Sequence, residues 1–105
     1  MKIYEYYSTD INKQELFYTA CKSEIDSSFV RDTTGKVFEA DMPEGVKIVS
    51  FDGMESLCTA DGRQLYVHRR ATDGAFFLVF TQSVVDYGME WHECIYKGIT
   101  AKEIC

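Results

Sequence analysis

"STDINKQELFYTACKSEIDSS", Ser8 to Ser28, decides how the rest of the chain is read. Ser8, Thr9 or Asp10 can accept hydrogen bonds from the first free amides of a helix, as capping residues do. At about 100° per residue, Ile11, Leu16, Phe17, Tyr18, Ala20, Cys21 and Ile25 sweep one broad apolar arc. Asn12, Glu15, Thr19, Lys22, Ser23 and Asp26 fill the remainder. The pattern predicts an amphipathic helix, and such a helix needs a sheet against which to bury its apolar side.

That sheet is legible on both sides of the stretch. Before it, "KIYEYYS" alternates, with Ile3, Glu5 and Tyr7 on one face and Tyr4 and Tyr6 on the other, as an opening strand does. After Phe29, glycine recurs in Thr34-Gly35, Glu44-Gly45, Asp52-Gly53, Asp61-Gly62, Asp73-Gly74, Tyr87-Gly88 and Lys97-Gly98. Asp-Gly between β-type runs signals a hairpin, because both central residues of a type I′ turn need positive φ. The runs between, from "FVRDT" through "AFFLVFTQSVV" to "MEWHECIYK", are strand-length and rich in β-branched and aromatic residues. The sequence therefore predicts one compact α+β domain over residues 1–105, an N-terminal helix on a mostly antiparallel, meander-type sheet. A small β-barrel-like sheet with one helix is the alternative.

Two-residue loops at the Asp-Gly sites would set Phe51 against Met54, Ala60 against Arg63 and Thr72 against Ala75. Val49, Phe51, Met54, Cys58, Leu65, Val67, Phe76, Leu78 and Phe80 then share the core face. Val46, Ile48, Leu57, Tyr66, His68, Phe77 and Val79 share the other, with Tyr96 as a further aromatic beside them. An apolar set left on an outer face suits a partner contact or a homodimer seam.

Composition excludes more than it assigns. The net charge is −6, with 12 acidic against 6 basic residues over 1–62 and 5 of each over 63–105. Nucleic-acid binding needs a positive surface that displaces counterions, so no direct nucleic-acid partner is expected. No apolar run reaches membrane-spanning length, and none marks a secretory signal, so the expected setting is the cytoplasm, with bacterial or phage origin. Cys21, Cys58, Cys94 and Cys105 form no CxxC pair and are expected as reduced thiols.

The chemically suggestive stretch is "MEWHECIYKG". Read as a strand, it puts His92 and Cys94 on one face and Trp91, Glu93 and Ile95 on the other. A metal site would need His68 to join His92 and Cys94, and the register holds His68 roughly 11 Å from Cys94, too far for a shared zinc. No P-loop, GxGxxG, GxSxG or HExxH pattern occurs, and no cofactor or catalytic set is expected. The functional expectation is a small acidic protein-binding domain acting by stoichiometric interaction, such as an inhibitor, immunity protein, antitoxin or phage anti-defence protein. Its partner is expected to be another protein with a basic surface. The expected contacts are the acidic loop residues Glu39, Asp41 and Glu44, which would steer association, with Tyr66, Phe77 and Tyr96 as the apolar part. The alternatives are a small-ligand or metal-binding module using His68, His92 and Cys94, and a self-associating structural domain.

Overall fold

A computed structural model describes residues 1–9, 15–28 and 30–105. Among these residues eight strands run in chain order: β1 (Lys2–Ser8), β2 (Leu16–Thr19), β3 (Val30–Asp41), β4 (Lys47–Phe51), β5 (Met54–Cys58), β6 (Gln64–Arg69), β7 (Phe76–Phe80) and β8 (Ile95–Glu103). One helical turn, α1 (Lys22–Ile25), follows β2, and α2 (Thr81–Tyr87) follows β7, before a 3₁₀ turn at Trp91–Glu93. All strand pairs are antiparallel, in the order β2-β1-β3-β8-β7-β6-β5-β4. A further pairing of Tyr18 with Val67 joins β2 to β6 and closes six strands into a barrel.

This overturns the expected open meander under an N-terminal helix. The decisive stretch carries a strand at Leu16–Thr19 and only a four-residue helical turn after it. Asp10, Ile11 and Asn12, which would begin that helix, lie outside the described residues. The reason for the strand is non-local. Tyr18 sits directly opposite Glu5 on β1 and donates a 2.7 Å hydrogen bond to its Oε2. Glu5 and Ile3 both point into the barrel and are almost wholly buried. A short apolar run is ambiguous between periods of 2 and 3.6, and here the buried carboxylate across the ladder selects the strand.

The core fills the barrel with Ile3, Phe38, Ala40, Leu65, Val67, Phe76 and Leu78, and Val46 and Leu57 extend it towards β4 and β5. Register explains which faces point inward. Asp52-Gly53 is a two-residue turn with positive φ at both residues, and it sets Phe51 against Met54 as expected. The Asp61-Gly62 loop is longer: Cys58 pairs with Gln64 and Leu57 with Leu65. That differs by one residue from a two-residue turn, so the faces of β4 and β5 exchange relative to β6. Leu57 and Val46 therefore enter the core, while Val49, Phe51 and Met54 face water. At Gly45 the fold demands glycine twice over, since φ is +84° and a Cβ would lie 2.9 Å from the Ala60 Cβ.

The segment after β7 also differs from its expected hairpin. "TQSVVDY" forms α2, and Gly88 ends it in the left-handed region at φ 63°. "WHE" is the 3₁₀ turn and only Ile95 onward is strand. Trp91 lies over the outside of β6 and β7, its ring 4.0 Å from His68 and 5.6 Å from Phe77 between centroids. Val79, on the same outer face, and Cys94 are buried.

Candidate binding groove

β7 occupies one edge of β6, and two strands share the other. β5 pairs with Gln64 and Leu65, and β2 pairs with Val67. Two strands leaving one edge at neighbouring positions must diverge, and a V-shaped groove of about 1110 Å³ opens between them, with Tyr66 at its apex. Leu16, Phe17 and Thr19 line one wall, Glu55, Ser56 and Leu57 the other, and Cys21 and Glu24 the end nearest α1. His68, Arg70 and Trp91 line the far end.

The end nearest α1 is acidic. Glu24 accepts hydrogen bonds from the Tyr6 hydroxyl (3.2 Å) and the Thr19 hydroxyl (2.9 Å). Glu55 accepts one from the Ser23 amide (3.0 Å), so a remote carboxylate satisfies a first-turn amide of α1. Both carboxylates are half-buried, and neither has a cationic partner among the described residues. Burial, followed by the charges of Glu24 and Glu55, pushes the Cys21 thiol up to about 11. Burial, with Glu24 second, likewise raises the Tyr6 phenol.

The arginines nearby are already engaged. Arg69 reaches the barrel interior, where its guanidinium lies 3.9 Å from Glu5, donates to the Tyr18 hydroxyl at 3.3 Å and to the Gly74 carbonyl at 3.1 Å. The rings of Phe38 and Phe76 stand 5.1 and 5.0 Å away, at cation–π distance. Arg70 pairs with Asp73 across its loop and lies over Phe77. At the aromatic end, burial holds His68 below its ordinary value, against an opposing pull from Glu15. The Thr81 hydroxyl, past Phe80 and so towards the Gln64 end of β6, is buried without a hydrogen-bond partner among the described residues.

The residues expected from sequence fall in three places. Glu39, Asp41 and Glu44 are exposed at the end of β3 and in the loop after it, and Glu39 pairs with the amino terminus at 2.8 Å. Tyr66 and Phe77 share the outer face of β6 and β7, where Trp91 covers Phe77. Tyr96 packs instead on Phe80, centroids 5.2 Å apart, at a bulge in β8. Of the metal candidates, His68 stacks on Trp91, Cys94 is buried and His92 is exposed, 3.9 Å from Glu93. No group of three metal-ligating side chains occurs among the described residues. No helix among them is long and apolar enough to cross a membrane.

Sequence reasoning missed Glu24, Glu55 and Arg69. Only Glu5 gave a signal, a carboxylate in step with Ile3 on an alternating strand. The carboxylates of the groove are brought together by strand pairing alone, which leaves no local mark. No protein-family model, curated protein or solved structure matches this chain.

Proposed function

We propose that this chain is a protein-binding domain that acts by stoichiometric contact, and that its groove receives a basic segment of the partner. The observation that carries this is the pair Glu24 and Glu55, half-buried in an open groove without a cationic partner among the described residues while the neighbouring arginines are paired elsewhere. A lysine or arginine about 4 Å from either carboxylate gains about 4 kcal/mol of Coulomb energy at an effective dielectric of 20, before desolvation is charged against it. The hydrophobic walls, Leu16, Phe17 and Leu57, suit the aliphatic stem of such a side chain. Glu39, Asp41 and Glu44 add to the negative field that draws a basic partner in, and they act on the association rate. Inhibitors, immunity proteins, antitoxins and anti-defence proteins work by contacts of this kind.

Affinity capture from the native cell, with wild-type and Glu24→Gln/Glu55→Gln baits, tests the reading. The expected result is a one-to-one partner whose Kd rises by about tenfold or more in the double variant, about 1.4 kcal/mol, and rises again at about 1 M salt. A partner bound equally by both baits overturns the groove as the contact. Lysine substitutions at Glu39, Asp41 and Glu44 are expected to slow association and leave dissociation unchanged.

A further inference from the structure

The β4–β5 hairpin ends the sheet, and no strand pairs with the outer edge of β4 among the described residues. Free edges in native proteins carry guards: a charged side chain, lysine above all, a proline, a bulge or a covering loop. β4 reads "KIVSF", pairs with β5 over five residues in unbroken register, and has Lys47 as its single charge. At the tip, Phe51 and Met54 face each other across the turn with 79 and 69 % of their surface in water, and Val49 adds 39 %. With side-chain areas of order 150–250 Å², these leave roughly 350 Å² of apolar surface exposed per copy.

We propose that two copies of this chain pair antiparallel through their β4 edges, about a two-fold axis at Val49. The occupant is fixed by self-complementarity. That axis sets Val49 against its own equivalent, and it sets Lys47 of each copy against Phe51 of the other. Lys47, Val49 and Phe51 alternate onto one face, so the only cation of the strand meets an aromatic ring at both ends of the ladder. No like charges oppose each other across it. On the opposite face, Ile48 meets Ser50. The contact is isologous, so it consumes both free edges and closes at two copies instead of growing into a fibre. Met54 stands one strand back on β5, so the apolar surface removed is that of Val49 and Phe51, at most roughly 450 Å² over the two copies. With the paired backbone the contact falls at the small end of protein interfaces, as a weak, reversible one does. A reversible dimer with a micromolar Kd is the consequence. This surface is separate from the groove, and it differs from the Tyr66–Phe77 face that the sequence offered as a dimer seam.

Sedimentation equilibrium and light scattering from about 1 µM to about 1 mM, a span set to bracket a micromolar Kd, measure the mass of the whole protein. Wild type is expected to pass from monomer to dimer in that range. Val49→Lys places two ammonium groups on the axis and is expected to raise Kd at least tenfold, as is Phe51→Lys, which sets a like charge against Lys47 of the other copy. Both positions are exposed, and unchanged circular dichroism and Tm check that each variant folds. In a Cys105→Ser background, Val49→Cys is expected to form a covalent dimer under mild oxidation by a disulfide oxidant, through the two axial thiols. A wild type that stays monomeric to about 1 mM overturns the proposal, and so does a dimer indifferent to both substitutions. Partner capture by Val49→Lys, compared with capture by Glu24→Gln/Glu55→Gln, separates failure of this contact from failure of the groove.

Discussion

Arg69→Met is the substitution whose consequences follow most directly from the barrel interior. Glu5 is 3 % exposed, and Arg69, 3.9 Å away, is its one cationic partner among the described residues. At that separation and an effective dielectric of 20, the attraction is about 4 kcal/mol. Removing one partner of a buried pair costs about 3–5 kcal/mol, because a charge is left without compensation. Two features reduce the figure here. The Tyr18 hydroxyl still donates to Glu5, and the Arg69 side chain is 32 % exposed, so solvent screens part of the pair. Methionine keeps most of the volume between Phe38 and Phe76 and packs favourably on aromatic rings. The expected loss is therefore about 3 kcal/mol, and at about 4–8 °C per kcal/mol for a domain of this size Tm falls by about 12–24 °C.

Denaturant unfolding by circular dichroism measures this as a lower midpoint at unchanged slope. Glu5→Leu/Arg69→Met, which leaves no charge behind, is expected to recover at least about half of the loss. Tyr18→Phe alone, removing one hydrogen bond to a charged group, should cost about 1.5–3 kcal/mol. The reasoning fails if Arg69→Met unfolds within about 0.5 kcal/mol of wild type, the range of ordinary surface changes. It fails equally if the double variant is no more stable than the single one.

Three further outcomes are expected. Gly45→Ala meets both a positive φ and the Ala60 side chain, whereas Gly53→Ala meets the positive φ alone, so the first should be less stable by at least about 1 kcal/mol. Equal costs in chemical denaturation would remove the close approach from the account. His68 is held below its ordinary value, so the unfolded chain binds more protons there. Its contribution to stability is complete above the unfolded value of about 6.5 and is lost as pH falls from there through the folded value. Comparing Tm of wild type and His68→Phe between about pH 7 and pH 5 isolates the effect, and an identical pH profile would refute it. Finally, Cys105 is exposed while Cys21, Cys58 and Cys94 are buried, so a disulfide reagent should titrate one thiol rapidly in the native protein and four after denaturation. Rapid reaction of a second native thiol would contradict the burial of those three.

The parts of the fold that sequence reveals are those fixed within a few residues. Asp52-Gly53 announces its turn because the positive φ values are intrinsic to that dipeptide, and the β4–β5 register follows from it. Asp61-Gly62 carries the same dipeptide in a longer loop, and one residue of slip reversed which side of β4 and β5 meets the core. Tyr87-Gly88 looked like another hairpin turn, yet its glycine terminates α2, a second use of the same backbone freedom. Leu16–Thr19 was lost for the opposite reason. Its strand form depends on Glu5 and Val67, 13 and 49 positions away from Tyr18, and no local period encodes such partners. The candidate site was hidden for the same cause. Glu24 and Glu55 come from segments 31 residues apart and meet only through the branching of strands at β6.

That branching has a mechanical consequence. A ring of strands is as strong as its weakest joint, and among the described residues this one is joined between β2 and β6 by a single residue pair, Tyr18 and Val67. The β2 amides turned toward β6 should therefore exchange with deuterium by a local opening far cheaper than global unfolding, while those of β7, paired along both edges, exchange only with the whole. Under tension applied at the amino terminus, β2 should part from β6 before the rest of the wall yields. The barrel is closed, but it has a clasp.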